Sequence, residues 1–175
     1  MTCRYFYMHR LGVVGSAYYE RHGGGGNYQC LPSVPQWGRF QDGFQSNSYM
    51  YGVEYQVNTF NPFLSSPLSG KQLLDQNAVC AVCRVPDRAS EQMIPAWNTC
   101  PPSWSLEYHG YLMSSHNSHK GRSNFVCVDE DPEVNSSGDG NEDGGLWYPV
   151  EAHCGSLPCP NYVNGREITC AVCTK

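Results

Sequence analysis

The word Cys-Ala-Val-Cys stands at residues 80–83 and again at 170–173, ninety positions apart. A repeated word calls for a search for a repeated unit. Shifting the sequence over itself by 97 positions puts Cys3 on Cys100, His22 on His119, Gly24 on Gly121, Asn27 on Asn124 and Cys30 on Cys127. Pro35 meets Pro132, Tyr51 meets Tyr148, and Val53-Glu54 meets Val150-Glu151. Conservative pairs such as Tyr28 with Phe125 fill the gaps. The offset runs ungapped from position 3 to position 54, after which the second copy is seven residues shorter. This spacing predicts two tandem, pseudo-symmetric units, 1–86 and 92–175, joined through 87–91 and able to share one core. The surrounding stretch VPDRASEQMIPAW carries two prolines and several charges, as a linker or edge segment does.

Long helices need runs of strong helix formers, and only GKQLLDQNAVC comes near one. Against that stand 18 glycines, 12 prolines and 12 tyrosines in 175 residues, with 15% charged residues. The expected fold is mainly β, with short strands and long ordered loops. The apolar supply is modest, so the core needs help.

Ten cysteines, an even number, supply it. Each unit holds four at matching positions: Cys3, Cys30, Cys80, Cys83 and Cys100, Cys127, Cys170, Cys173. Cys154 and Cys159 are extra and are expected to pair with each other. Residues three apart on a strand point to opposite faces. Cys80 and Cys83 therefore reach different partners, in an order that spacing leaves open. Two zinc sites and a redox pair are the rival uses of this spacing. Disulfides imply an oxidising, extracellular setting. No secretory leader precedes Cys3, so any leader is expected to have been removed or replaced. No apolar run approaches the roughly 20 residues a bilayer span needs. A net charge of −5 with scattered basic residues argues against nucleic acid and anionic membranes as partners.

The segments HGGGGNYQCLPSVPQW, DGFQSNSYMYGVEYQ, CAVCRVP, MIPAWNTCPPSW, GYLMSSHNSHKGRSNFVCVDEDPE and YPVEAHCGSLPCPNYVNGREITCAVCTK together span nearly the whole chain. In that order they resemble the cysteine-rich C-terminal region of sponge and mollusc short-chain collagens, the spongin-like or type-IV-like group. The resemblance implies an extracellular module. Family members often carry a collagen stretch before this region, and this chain has no Gly-X-Y run. A free-standing module of this type is similar to soluble sponge lectins.

Four features carry candidate chemistry. RHGGGGNYQC and its copy SHKGRSNFVC are glycine-rich turns that offer sugar-binding groups, with His22, Asn27, His119 and Asn124 as hydrogen-bonding partners and Tyr18, Tyr19 or Tyr28 as a flat ring. Glu54 and Glu151 stand at matching positions and are expected near those loops, unless they only brace them. His116, His119 and His153 with Glu151 form a possible metal set in the second unit. DGNEDGG places Asp139, Asn141 and Asp143 as in the first half of a calcium loop, but its twelfth position is Val150 rather than glutamate. Calcium is therefore the one cofactor to test, and otherwise none is expected. Asn135-Ser136-Ser137 matches a glycosylation acceptor. No Gly-x-Ser-x-Gly elbow surrounds a serine.

These features predict a secreted lectin without catalysis, self-associating, with glycans or glycoproteins as partners and with sugar held by Tyr19, His22, Asn27, Glu54, His116, His119, Asn124 and Glu151. The alternative is a structural matrix or assembly module.

Overall fold

The structure is a computed structural model that describes residues 7–57, 60–64, 73–135, 138 and 140–175. Its strands are β1 (Tyr7–Ser16), β2 (Gln29–Pro32), β3 (Tyr51–Tyr55), β4 (Val79–Arg84), β5 (Glu91–Pro95), β6 (Ser105–Ser114), β7 (Val126–Asp129), β8 (Gly145–Pro149) and β9 (Thr169–Thr174). The described residues include no helix. The GKQLLDQNAVC segment, where described, is a turn leading into β4. Among the described residues these strands form one nine-stranded sheet, in the order β2-β1-β3-β8-β6-β9-β5, with β4 also on β1 and β7 also on β6.

The two long strands organise matching pairings. β1 pairs with β2, β3 and β4, and β6 pairs with β7, β8 and β9, all antiparallel. A register irregularity falls between Met8 and Arg10 in one set and between Leu106 and Tyr108 in the other. Gly12 sits between Pro32 and Cys80, and Gly110 between Asp129 and Cys170. These registers correct the ungapped offset. Along β1 and β6 the correspondence is 98, so Gly12 answers to Gly110 and not to His109, and it returns to 97 at Cys30 and Cys127. The physical reason is a close backbone approach: a Cβ at Gly12 would overlap the Leu31 carbonyl, and one at Gly110 the Val128 carbonyl.

The sets meet at β3 and β8, which run parallel with Val53 opposite Gly145 and Tyr55 opposite Trp147. A parallel pair inside a sheet is covered on both faces. Val53, Glu54 and Tyr55 are accordingly all buried, and Trp147 is 4% exposed. The main core gathers here, with Val14, Phe63, Met113 and Val128. A smaller cluster of Leu112, Cys127, Cys170 and Val172 lies under β6 and β9. The expected linker ends one residue early, because Glu91 already belongs to β5, which pairs along β9 from Glu91 opposite Thr174 to Pro95 opposite Cys170.

Disulfides join Cys30–Cys80, Cys100–Cys173, Cys127–Cys170 and Cys154–Cys159. Cys83 is bridged too, and Cys3 lies outside the described residues. No described cysteine is free. Bridged sulfur offers no thiolate, so neither the zinc reading nor the redox reading applies to these cysteines. No helix among the described residues is long and apolar enough to cross a membrane.

Candidate functional site

The loops that leave β1 and β6 fold against each other and carry aromatic side chains from both halves into one row. Ring centroids are 5.1 Å apart for Tyr51 and Tyr18, 4.9 Å for Tyr18 and Tyr19, and 4.7 Å for Tyr19 and His119. The row continues from His119 to His116 at 5.4 Å and to Tyr148 at 5.5 Å, with His116 and Tyr148 at 5.0 Å. At its other end Tyr49 reaches Tyr51 at 6.4 Å and Phe44 at 4.9 Å. Tyr18, Tyr19, Tyr51, His119 and Tyr148 are half-buried, and His116 is exposed. Their edges pack on one another, and part of each ring remains open to solvent.

Backbone bonds hold the loops. Tyr19 N–H donates to Gly144 O at 3.1 Å, and Gly121 N–H donates to Tyr19 O at 2.9 Å. Gly121 is confined because a Cβ there would press on the carbonyls of Tyr18, Tyr19 and Arg21. His119 N–H closes a turn onto His116 O at 3.0 Å. Asn124 N–H donates to Gly26 O, and its side-chain amide donates to Asn27 Oδ1, both at 3.0 Å. Tyr28 O–H donates to Ser123 Oγ, tying the half-buried ring into the same junction.

Charge shapes the row. Burial, then the neighbouring His116, lowers the pKa of His119, while Glu20 and Asp143 pull it back. Burial raises the Tyr19 phenol, helped by Glu20 and Asp143, and raises the Tyr148 phenol, helped by Asp143 and Asp75. The row therefore sets the His119 imidazole, shifted toward its neutral form, and the Tyr19 and Tyr148 phenols, shifted toward their protonated form, beside Glu20 and Asp143. Such groups donate and accept hydrogen bonds, and their ring faces take apolar C–H surface.

The expected site residues divide into three groups. Tyr19, His116 and His119 join the row. Asn27 and Asn124, which match in the 97 offset, bond to each other. His22 is exposed, as is Glu151, whose backbone bridges to Glu167. Glu54 is 2% exposed and faces inward. Its Oε1 accepts the Glu142 amide at 3.0 Å, and its Oε2 is buried without a hydrogen-bond partner. Burial raises its pKa, against the lowering effect of the Glu142 and Asp143 amides. Glu54 thus braces the 142–143 turn from below.

His153 is exposed and bonds to Cys154 O at 3.0 Å. Asn141 is exposed, and Asp143 holds a left-handed φ of 55° beside the row. Asp139 lies outside the described residues. Among the described residues no group of three or more His, Cys, Asp or Glu is placed to hold a metal ion. Asn135 donates its N–H to Asn77 O at 3.0 Å and is half-buried, and Ser136 and Ser137 lie outside the described residues.

Tyr51, Tyr148 and Glu20 join or flank the row although the sequence did not mark them as site residues, and Asp143, expected in a calcium loop, lies beside the row instead. Tyr51 and Tyr148 carried a signal, since they match in the offset. Under the row a cavity of about 10 Å³ lies among Ser16, Ala17, Tyr28 and Ser123. That is room for about one water, so a ligand would meet the open shelf of rings. No protein-family model, curated protein or solved structure matches the chain.

Proposed function

We propose that this chain is a secreted carbohydrate-binding protein whose sugar contact is the shelf Tyr18–Tyr19–His119–His116–Tyr148. The observation that supports this reading is the continuous ring row, partly open and flanked by Glu20 and Asp143. A pyranose presents an apolar face and a rim of hydroxyls, which such a shelf meets with stacking and hydrogen bonds. Disulfide bridging of the described cysteines suits an extracellular setting. A glycan array with and without chelator tests the reading. Binding is expected to survive chelation and to fall by at least about tenfold in Tyr19→Ala and in Tyr148→Ala, a loss of roughly 1.4 kcal/mol. Silence on every glycan overturns it.

A specific observation favours a second reading, the matrix or assembly module that the short-chain collagen resemblance implies. The 33–50 segment is exposed throughout and carries Val34, Trp37, Phe40 and Phe44 at 81%, 77%, 70% and 88% exposure. Large apolar groups left in water mark interaction surfaces. Concentration-dependent assembly in sedimentation, lost when Trp37 and Phe44 become serine, supports this reading.

A further inference from the structure

β4 and β9 carry the same Cys-Ala-Val-Cys word and pair with β1 and β6 in matching registers, with the irregularity at the same place. Their outer sides differ. β5 runs antiparallel along the whole of β9. Behind it Cys170, Ala171 and Cys173 are 0% exposed and Thr174 is 3%. Among the described residues no strand lies along the outer side of β4. Val82 is 36% exposed and Arg84 is exposed, and on β1 Leu11, opposite Ala81, is 51% exposed. A sheet edge of this kind is a template for another strand.

We propose that the outer edge of β4 is a docking site for an extended partner strand with the chemistry of β5. β5 itself states what such an edge accepts. Met93 and Ile94 stand opposite Val172 and Ala171, Pro95 opposite Cys170, and Glu91 opposite Thr174. Transferred to β4, the apolar pair meets Val82 and Ala81, and the proline ends the pairing at Cys80. The acidic residue meets Arg84, which stands where Thr174 does. That position changes a neutral hydroxyl for a guanidinium, so the β4 edge suits an acidic first residue better than the β9 edge does. Main-chain hydrogen bonds supply affinity, and the alternate side chains supply selectivity.

The test is a capped peptide of residues 90–97, Ser-Glu-Gln-Met-Ile-Pro-Ala-Trp, titrated into the isotope-labelled oxidised chain. Saturable amide shifts at Ala81 and Val82, with a Kd below about 1 mM, are expected. Hydrogen exchange at the Ala81 amide, which faces the outer edge, should slow as the peptide binds, while the Val82 amide, already paired with β1, should change little. A peptide with Glu91→Lys should bind more weakly, and one with Met93→Asp and Ile94→Asp should not bind. Absence of shifts in a chain whose spectrum shows it folded overturns the proposal. So does strong protection of the outward-facing Ala81 amide before peptide is added, which would mean that the edge is already covered. A dimer whose interface maps to β4 without peptide also overturns it, because a second copy would then be the occupant.

Discussion

Removing two of the bridges should have unequal consequences, and the structure sets the order. Cys127–Cys170 closes a sequence separation of 43, and Cys154–Cys159 closes one of 5. In the chain-entropy picture the first restrains the unfolded chain by about 4 kcal/mol and the second by about 2 kcal/mol. Burial widens the gap. Cys127 is 4% exposed and Cys170 0%, both in the smaller core cluster, whereas Cys159 is exposed. Trading two buried sulfurs for hydrogen adds roughly 1–2 kcal/mol of lost burial and cavity cost. The variant Cys127→Ala/Cys170→Ala should therefore lose about 5 kcal/mol, and Cys154→Ala/Cys159→Ala about 2 kcal/mol. A small domain holds only about 5–15 kcal/mol in total. The first variant should thus sit near the edge of unfolding at room temperature, and the second should stay folded. Guanidinium unfolding followed by tryptophan fluorescence measures both, since Trp147 is buried at the junction of the halves. Equal losses, or a larger loss for the 154–159 variant, would refute the reasoning.

Two further outcomes are expected. Burial raises the Glu54 carboxyl above its ordinary value of 4.5, so the fold favours the protonated form. That contribution is fully present below the ordinary carboxylate range and is lost as pH rises through the raised value. Glu54→Gln stays neutral and should flatten this decline in unfolding measurements across a pH series; an unchanged slope speaks against it. Gly110→Ala should cost about 2–3 kcal/mol, because its methyl group would overlap the Val128 carbonyl and part β6 from β7. Gly23→Ala meets nothing within 4 Å and should stay within about 0.5 kcal/mol, so equal melting shifts for the two would count against the close-approach account.

Local features of the sequence carried far into the fold. Glycine, proline and tyrosine in place of helix formers foretold short strands. The Cys154–Cys159 pair followed from their lack of counterparts in the other unit, and Cys80 takes Cys30 as its partner while Cys83 is bridged elsewhere. What spacing could not convey was the junction between the halves. The matching positions of Glu54 and Glu151 could not tell that β8 would lie parallel beside β3, and that pairing is why Glu54 is sealed under a turn rather than offered to a ligand. The one-residue shift along β1 and β6 was hidden for a similar reason. Cysteines dominate an alignment by identity, whereas the strands are registered by where a carbonyl needs a glycine. Tyr19 and His119 stand 100 positions apart, and only the folding of one loop onto the other brings their rings together.

None of the four bridges with both ends among the described residues crosses from residues 7–86 to residues 92–175. What unites these halves is the strand pairing of β3 with β8, the residues sealed around it, and the hydrogen bonds and rings of the loops folded on one another. A protease that cuts within the short connection after Asp87 would therefore leave an apparently intact particle. Its two fragments would migrate as one species in native buffer, and none of those four bridges would hold them together in denaturant, so backbone continuity at that point is dispensable once the protein has formed.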